Sequence, residues 1–411
     1  MTKLDLQDPK IAKLIHAEEE RQQHSLELIP SENYASSAVR EALGSVLNNK
    51  YSEGYPGARY YGGQKNIDQI EIIAQERVLK MFKLSKNSWH VNVQPYSGSP
   101  ANAQIYFALL KFGDKILGMK LDQGGHITHG LPISFSGTAY KFIAYGVDEI
   151  TEKLDYAQIE KIAKKEKPKM IVCGATAYSR IINFKKFSQI AKEVNAYLMA
   201  DISHIAGLVV GGVHPSPFPY ADVVMTTTHK TLRGPRGAII ICRKGLAKQI
   251  DRAVFPGMQG GPHDHQIAAK AVCFGEAATS KFRNYAGQVV KNAKVLAQAL
   301  QDHGFRIVSG GTDNHLMLID LGNMQITGKE AQIKLEEVGI ILNKNTIPFD
   351  KEPANIGSGV RLGTPAVTTR GMKEKEMKVI AKLIFNTLTN KEPQKIITDG
   401  VLKLTRRFPI K

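Results

Sequence analysis

The stretch YADVVMTTTHKTLRGPRG, Tyr220–Gly237, runs from an apolar segment directly into three threonines, a histidine and a single lysine, Lys230. The apolar segment predicts a buried strand, because a short apolar run bounded by polar residues is typical of strands inside a sheet. A lysine after a strand is by residue type usually a solvated loop residue. Whether Lys230 does chemistry therefore depends on what other strand ends bring to the same edge of the sheet.

Apolar runs alternate with amphipathic segments around this stretch, which is the pattern of a parallel sheet covered by helices. Buried strands are predicted at HVNVQP (90–95), KILGM (115–119), KMIVCG (169–174), AYLMAD (196–201), ADVVMTT (221–227) and GAIIICR (237–243). Helices are predicted at IDQIEIIAQERVLKMF (67–82), DYAQIEKIAKKEK (155–167) and KFSQIAKEVN (186–195). The chain is therefore expected to be an α/β protein.

The order of predicted helices and strands changes near Lys281. A long helical segment (285–304) leads into short strands at RIVSG (306–310) and HLMLIDL (315–321). A helix (328–339), the strand IILNKN (340–345) and a final helix from about Lys373 are predicted to follow. We expect two domains: residues 1–280 form an N-terminal arm and a large α/β domain, and residues 281–411 form a smaller α+β domain.

Composition excludes several classes of protein. The 411 residues are 43% hydrophobic, and no apolar run approaches the roughly 18 residues that span a bilayer. The N-terminus has early acidic residues and no apolar signal-peptide core, which predicts a cytoplasmic protein without a membrane association. The three cysteines, Cys173, Cys242 and Cys273, lack the spacing of a disulfide framework or a metal site.

The net charge of +17 raises the question of nucleic-acid binding. Basic residues release counterions from phosphates, so a basic patch favours such binding. Here the charges are scattered, and the densest run, KKEKPK (164–169), ends a predicted helix and is interpreted as a solvated face. No alternation of basic and aromatic residues is present, so nucleic-acid binding stays a minor hypothesis.

Polar residues end three of the predicted strands. Thr176 follows one, Asp201 ends the next, and Lys230 follows a third. In open parallel sheets ligands gather outside the carboxyl ends of the strands, so these side chains are expected to meet. A fourth element, Ser97-Gly98-Ser99, joins a strand to a helix, where free N–H groups and the helix dipole suit a phosphate. Each feature alone also fits a helix cap or a turn.

One cofactor uses all four features, pyridoxal phosphate. Its aldehyde forms a Schiff base with a lysine amine, here Lys230, and its ring nitrogen needs an acidic partner, here Asp201. Its phosphate needs N–H donors, and the small threonines before Lys230 leave room for a flat ring. The combination explains the unusual stretch quoted above.

Longer motifs make the sequence resemble the serine hydroxymethyltransferase family over nearly its whole length. They are LELIPSENY, NKYSEGYPGARYYGG, QGGHITHG, ADISHIAGLV, TTTHKTLRGPRG, FPGMQGGP, SGGTDNHLMLIDL, LNKN and GVRLGTPA. The resemblance implies a fold type I pyridoxal-phosphate enzyme with a mostly parallel seven-stranded sheet in its large domain. It also implies the exchange of a hydroxymethyl carbon between serine and tetrahydrofolate, giving glycine and methylenetetrahydrofolate.

The resemblance implies a role for each residue around the cofactor. Lys230 matches the Schiff-base lysine, Asp201 the partner of the ring nitrogen, and His126 the histidine that stacks on the ring. Positions that match phosphate contacts are Ser97, Gly98, Ser99 and His229, with Gly260 and Gly261 from a partner subunit; Thr176 and His204 match positions near the phenolic oxygen. His126 and His129 are also spaced like two metal ligands, but no third ligand is evident and no metal is expected.

The resemblance also implies substrate contacts and a shared site. Arg361 matches the clamp for the substrate carboxylate, to which a guanidinium binds bidentately. Positions that match the amino-acid pocket are Ser31 and His204, and those that match the folate site are Leu121, Gly125 and Asn345. Glu53, with Tyr51 and Tyr61, falls in a motif that the family uses across its dimer interface, where Glu53 would be the acid/base. A homodimer, or a tetramer, is therefore expected.

The sequence departs from the family pattern at a few positions. Tyr96 and Gln123 stand where histidines are usual, and Ala58 stands where a basic residue is common. Pro353-Ala354-Asn355 replaces an element that contacts folate in bacterial members. Two alternatives therefore stay open: a folate-independent aldolase for β-hydroxy amino acids, and a catalytically idle basic paralogue that binds RNA.

Overall fold

A seven-stranded sheet forms the centre of the protein in the computed structural model, which describes residues 2–411. The strands are β1 Leu26–Glu27, β2 Gly54–Tyr55, β3 Ala58–Arg59, β4 Trp89–Asn92, β5 Lys115–Met119, β6 Lys141–Tyr145, β7 Met170–Cys173, β8 Tyr197–Asp201, β9 Val223–Thr227, β10 Ala238–Arg243, β11 Arg306–Ile307, β12 Leu316–Asp320, β13 Ile340–Ile341, β14 Asn343–Asn345 and β15 Gly359–Gly363. The helices are α1 Lys3–Gln7, α2 Pro9–His24, α3 Ser37–Leu43, α4 Lys65–Met81, α5 Gly98–Leu109, α6 Phe135–Ala139, α7 Tyr156–Glu166, α8 Phe184–Glu193, α9 Ala206–Val210, α10 Ala247–Arg252, α11 Asp264–Ala277, α12 Ser280–Asp302, α13 Gly328–Glu337, α14 Pro365–Thr369, α15 Glu374–Thr389 and α16 Gln394–Arg407.

The sheet is mostly parallel, as predicted. Its order is β4-β10-β9-β8-β7-β5-β6, and β10 alone runs against its neighbours β4 and β9. The central strands are buried along their whole length, which explains why they read as continuous apolar runs rather than as alternating ones. Parallel strands also bring their carboxyl ends to one edge, where Asp201 ends β8 and Thr227 ends β9.

One strand of this sheet was missed in the sequence. β6 lies at the sheet edge and pairs only with β5. Its residues alternate little in polarity and four of the five are at least partly exposed, so KFIAY carries neither a buried nor a half-buried strand pattern.

A second layer contains the four-stranded antiparallel sheet β11-β12-β15-β14. α12, α13 and α15 pack around it with a separate apolar core. The N-terminal segment contributes to that core, because β1 pairs with β13 and buries Leu26 and Leu28 there. The division into domains at residue 280 stays a prediction; α12 begins at Ser280.

The predicted "final helix" from Lys373 is two helices, which corrects that expectation. α15 ends at Thr389, and Asn390 caps it in a left-handed conformation with φ 53°. Pro393 then precedes α16, where its ring is accommodated because it needs no backbone N–H at a helix start. No helix among residues 2–411 has the length and apolar character needed to cross a membrane.

Candidate active site

Lys230 lies three residues beyond the end of β9, in a loop that backbone hydrogen bonds hold. Thr228 N–H donates to Gly237 O over 3.0 Å, and Gly234 N–H returns to Thr228 O over 2.8 Å. The Lys230 ammonium donates to Thr227 Oγ1 over 3.1 Å. Burial lowers the pKa of Lys230 to about 8. A substantial fraction of the amine is then neutral near pH 7 to 8, which is the form that attacks a carbonyl carbon.

Asp201 points from the end of β8 into the same space and is fully surrounded by donors. Its Oδ2 accepts from Asn102 Nδ2 over 3.0 Å and lies 3.2 Å from His129 Nε2, while Oδ1 accepts from Ser203 N–H over 3.1 Å. Burial by itself raises the pKa of this carboxyl, but the hydrogen bond to His129 and the neighbouring histidines and amide hold it well below its usual range. Asp201 is therefore a buried, ionised carboxylate.

A small cavity separates Lys230 from Asp201 and opens to the N-terminus of α5. The residues that line it are Gly98, Asn102, His126, His129, Ala175, Thr176, Asp201, Ser203, His204, Met225, Thr227 and Lys230. Ser97 caps α5 without a side-chain hydrogen bond, so the first N–H groups of the helix keep their capacity to bind an anion. Gly98 permits the close approach, because a Cβ there would lie 2.7 Å from Thr227 Cγ2.

Two of the predicted histidines line this cavity in neutral form. Burial lowers the pKa of His126 to about 4, and its Nδ1 lies 2.7 Å from Thr128 Oγ1. Burial also holds the pKa of His204 well below its usual range, and its Nδ1 lies 3.3 Å from His315 Nε2. A neutral imidazole can lie against a flat ring without repelling a nearby ammonium.

Arg361 approaches from the second layer, on β15. Its Nη1 donates to Thr176 O over 2.8 Å and its Nε to Asn343 Oδ1 over 3.2 Å, and the side chain is buried. Among residues 2–411 it forms no ion pair with a carboxylate. A buried guanidinium without an acidic partner is costly, so its position beside the cavity favours binding of a ligand carboxylate.

The family model described as "Serine hydroxymethyltransferase" matches residues 4–384 of the 411. This chain belongs to the serine hydroxymethyltransferase family. The match confirms the fold type I class and indicates a transferase that depends on pyridoxal phosphate. It spans both sheets of the structure, including the strand that carries Arg361.

The residues of the cavity fit the cofactor of this family. Lys230 offers a partly neutral amine, Asp201 a buried carboxylate for a ring nitrogen, and the start of α5 offers unused N–H groups for a phosphate. Asn102 Oδ1 is buried without a hydrogen-bond partner in the same cavity, which indicates that the space is shaped for a polar ligand.

A second group of serine hydroxymethyltransferase motif residues lies away from this cavity. Tyr51 and Tyr61 meet edge to face with centroids 5.2 Å apart, and Tyr51 OH lies 3.4 Å from Glu53 Oε1. Gly260 and Gly261 border the same Tyr51 and Glu53 side chains. Tyr51 is 54% exposed and Tyr61 49%, and none of these five residues lines the Lys230 cavity within one chain.

The other predicted residues lie around the rim of the cavity or beyond it. Gly125 forms part of the turn that leads to His126, and Thr176 N–H donates to its neighbour Gly124 O over 2.8 Å. Ser31 follows Pro30, whose ring packs against the end of β15 at Gly363. The remaining positions are Leu121, which is exposed; Asn345, half-buried on β14; and His229, whose Nδ1 is buried without a partner.

Three residues that contact the predicted site were not predicted as parts of it. Asn102 and His129 bind Asp201, and His315 lies against His204. Asn102 is a polar residue between Ala101 and Ala103 near the start of α5, which is the signal that could have found it. The spacing of His126 and His129 presents His129 only as half of a possible metal pair, and residues 2–411 contain no group of three His, Cys, Asp or Glu side chains that could hold a metal.

Proposed function

We propose that this protein is a cytoplasmic serine hydroxymethyltransferase that works as a homodimer. It would convert serine and tetrahydrofolate to glycine, 5,10-methylenetetrahydrofolate and water, and catalyse the reverse reaction. The observation that carries the proposal is the single cavity in which Lys230, Asp201 and the open start of α5 face one another. The family match supports the same reading.

Pyridoxal phosphate, when bound, supplies an aldehyde that condenses with amines and a ring that accepts electrons from the substrate. Lys230 would hold it through its amine, whose partly neutral state favours attack on the aldehyde, and would yield it to the amino group of an incoming amino acid. Asp201 would keep a proton on the ring nitrogen, because His129 and Asn102 hold its carboxylate in ionised form. His126 would lie against one face of the ring.

Arg361 would bind the carboxylate of serine or glycine. Two of its nitrogens are held by Thr176 O and Asn343 Oδ1, so the guanidinium is oriented before the substrate arrives. Such orientation lowers the entropy that is lost on binding. Ser31 and His204 would complete the amino-acid pocket.

Glu53 would move a proton between the substrate hydroxyl and the folate, from a partner subunit. Its side chain lies outside the cavity of its own chain, next to the exposed Tyr51 and Tyr61. A homodimer that places this group over the neighbouring cavity would complete the site, with Gly260 and Gly261 reaching the phosphate of the partner's cofactor. Burial in such an interface would explain why Tyr51 and Tyr61 are exposed in the single chain.

Folate would bind at Leu121, Gly125 and Asn345. The nearby loop with Pro353, Ala354 and Asn355 is exposed, and Asp350 closes it by accepting from Ser358 Oγ over 2.5 Å. Residues 350–358 contain no aromatic side chain, so this part of the loop offers little apolar surface to a bound pterin. We therefore infer a working site with reduced folate affinity.

The same loop favours a second candidate, a folate-independent aldolase for β-hydroxy amino acids such as threonine. Serine cleavage measured with and without tetrahydrofolate separates the two functions. The transferase requires strong dependence on tetrahydrofolate, with one methylenetetrahydrofolate formed per glycine. Equal glycine formation without tetrahydrofolate would establish the aldolase instead.

A further inference from the structure

Lys270 is a fully buried lysine on α11 that does not line the Lys230 cavity. It is 1% exposed, and its ammonium donates to Val93 O over 2.7 Å, Pro95 O over 3.0 Å and Ala238 O over 3.0 Å. Three donors and three carbonyl acceptors match completely, and the described chain pairs no carboxylate with it. A lysine in the core needs a reason, because burial of an ammonium is costly.

The first two acceptors belong to the segment that carries the chain from β4 into α5. This segment leaves the sheet after Asn92, and Pro95 O keeps one long backbone hydrogen bond, from Ala238 N–H over 3.4 Å. Side chains bind the carbonyls of the segment more closely: Lys270 binds Val93 O and Pro95 O, and Gln259 Nε2 donates to the intervening Gln94 O over 3.0 Å. Two residues after Pro95 comes Ser97, the cap of α5.

The third acceptor belongs to the strand beside Lys230. Ala238 begins β10 and pairs with Thr227 at the end of β9. The preceding Gly237 O accepts from Thr228 N–H over 3.0 Å, two residues before Lys230. The Lys270 ammonium therefore joins the segment that leads to the candidate phosphate site to the strand that holds the loop of the candidate cofactor lysine.

We propose that Lys270 is a positioning residue that sets the N-terminus of α5 at the correct distance from Lys230 for the cofactor phosphate. Lys270 touches neither cofactor nor substrate; it acts through the backbone of residues 93–97. The proposal rests on the proposed function, since it assumes that the start of α5 binds the phosphate.

The surroundings of Lys270 are built around its long side chain. A Cβ on Gly237 would lie 2.5 Å from Lys270 Cε and 3.2 Å from its Nζ, so a larger residue at this position would clash with the lysine side chain. Burial lowers the pKa of Lys270 to about 7, while the negative charge of Glu71 acts in the opposite direction. The ammonium is therefore confined in space as well as in its hydrogen bonds.

The test compares the full-length protein loaded with pyridoxal phosphate and with pyridoxal, which lacks the phosphate. Dissociation constants of both are measured by absorbance for the wild type and for Lys270→Met. We expect Lys270→Met to weaken pyridoxal phosphate binding roughly tenfold, about the worth of one hydrogen bond to a charged group, and to change pyridoxal binding less than about twofold. The preference for the phosphorylated form should fall accordingly.

Arg370 provides a matched control. It is also a buried cation that donates to backbone carbonyls, including Phe408 O over 2.6 Å and Thr405 O over 2.9 Å, but it lies in the second layer and lines no part of the Lys230 cavity. Arg370→Met should lower the melting temperature without changing the preference for pyridoxal phosphate. An equal loss of preference in both variants would mean that Lys270 is only structural.

A milder variant decides the question if Lys270→Met does not fold. Gly237→Ala adds one methyl group that displaces the lysine end while all three carbonyls remain, and it too should reduce the preference for pyridoxal phosphate. An unchanged preference in the folded variants overturns the proposal for Lys270. Failure of the wild type to bind either aldehyde would instead overturn the proposed function.

Discussion

The cavity at Lys230 and the surface at Tyr51 and Glu53 carry motifs of the same family. They differ in how many hydrogen bonds one chain provides to the carboxylate in each place. Around Asp201 every oxygen is bound by the chain's own donors, and the side chain is 8% exposed. Around Glu53 the neighbouring Tyr51 is 54% exposed, with a single long contact of 3.4 Å to the carboxylate. The difference indicates that one chain arranges the Lys230 cavity by itself, whereas the surface at Glu53 is the part that we propose acts across a dimer interface.

The most severe test of the prepared pocket is removal of its amine. We expect Lys230→Ala to abolish multiple turnover, because no other lysine lines the cavity. Borohydride reduction of the loaded protein followed by peptide mapping should attach the pyridoxyl group to Lys230 in the wild type and nowhere in the variant. A stable pyridoxyl adduct in the variant would contradict this assignment.

The proposed role of the surface at Tyr51 and Glu53 is tested by mixing two inactive variants. Lys230→Ala and Glu53→Gln subunits that exchange at random should recover about a quarter of wild-type activity, since half of the dimers then contain one intact site out of two. Exchange itself is verified with differently tagged chains. If verified heterodimers remain inactive, Glu53 does not act across an interface.

Asp201 tests whether the ionised carboxylate of the pocket matters for chemistry. Asp201→Asn keeps the shape but loses the charge, and we expect turnover to fall by about two orders of magnitude, as for other loss of preorganised charge. His129→Asn should produce a smaller loss, because Asn102 and Ser203 still hold the carboxylate. Near-normal turnover of Asp201→Asn would exclude its role at the ring nitrogen.

The exposed loop at Asn355 offers a gain-of-affinity test at the rim. Asn355→Phe would cover part of a bound folate, and at about 25 cal/mol per Å² a partly covered ring is worth roughly 1–2 kcal/mol, or about tenfold in affinity. The Michaelis constant for serine should stay nearly unchanged, because the substitution leaves Arg361, the proposed contact of the serine carboxylate, intact. Unaltered tetrahydrofolate affinity would show that the loop does not contact folate.

The pH dependence of cofactor association tests the lowered pKa of Lys230. It is the smallest effect that we expect. The pKa of Lys230 is lowered to about 8, so the ammonium dominates below that pH and the reactive amine above it. Association of pyridoxal phosphate with the apoprotein, followed by stopped-flow absorbance, should accelerate several-fold between pH 7 and 9 and then level off. Asp201→Asn removes a neighbour that raises this pKa, so its midpoint should move to lower pH. A profile that stays flat through pH 8 would contradict the lowered pKa.

Local sequence pattern determined much of this fold. Continuous apolar runs such as KMIVCG and GAIIICR correspond to β7 and β10, because strands buried on both faces need no polar positions. Lys230 and Asp201 follow directly from this, since a polar residue at the end of a parallel strand reaches the ligand edge of the sheet. The same local pattern also proposed Thr176 and the Ser97–Ser99 turn, and the family motifs added the remaining candidate residues.

Only the tertiary structure shows which distant residues contact and position these candidate residues. Asn102 reaches Asp201 across 99 positions of the chain, and Lys270 reaches Val93 across 177. Both lie on helices, α5 and α11, whose spacing of apolar residues predicts only which face is buried. The periodicity of apolar residues indicates whether a side chain is buried. It does not indicate which residue that side chain contacts, because the contact depends on how the helices pack against the sheet. That packing brings together segments whose sequence patterns are unrelated.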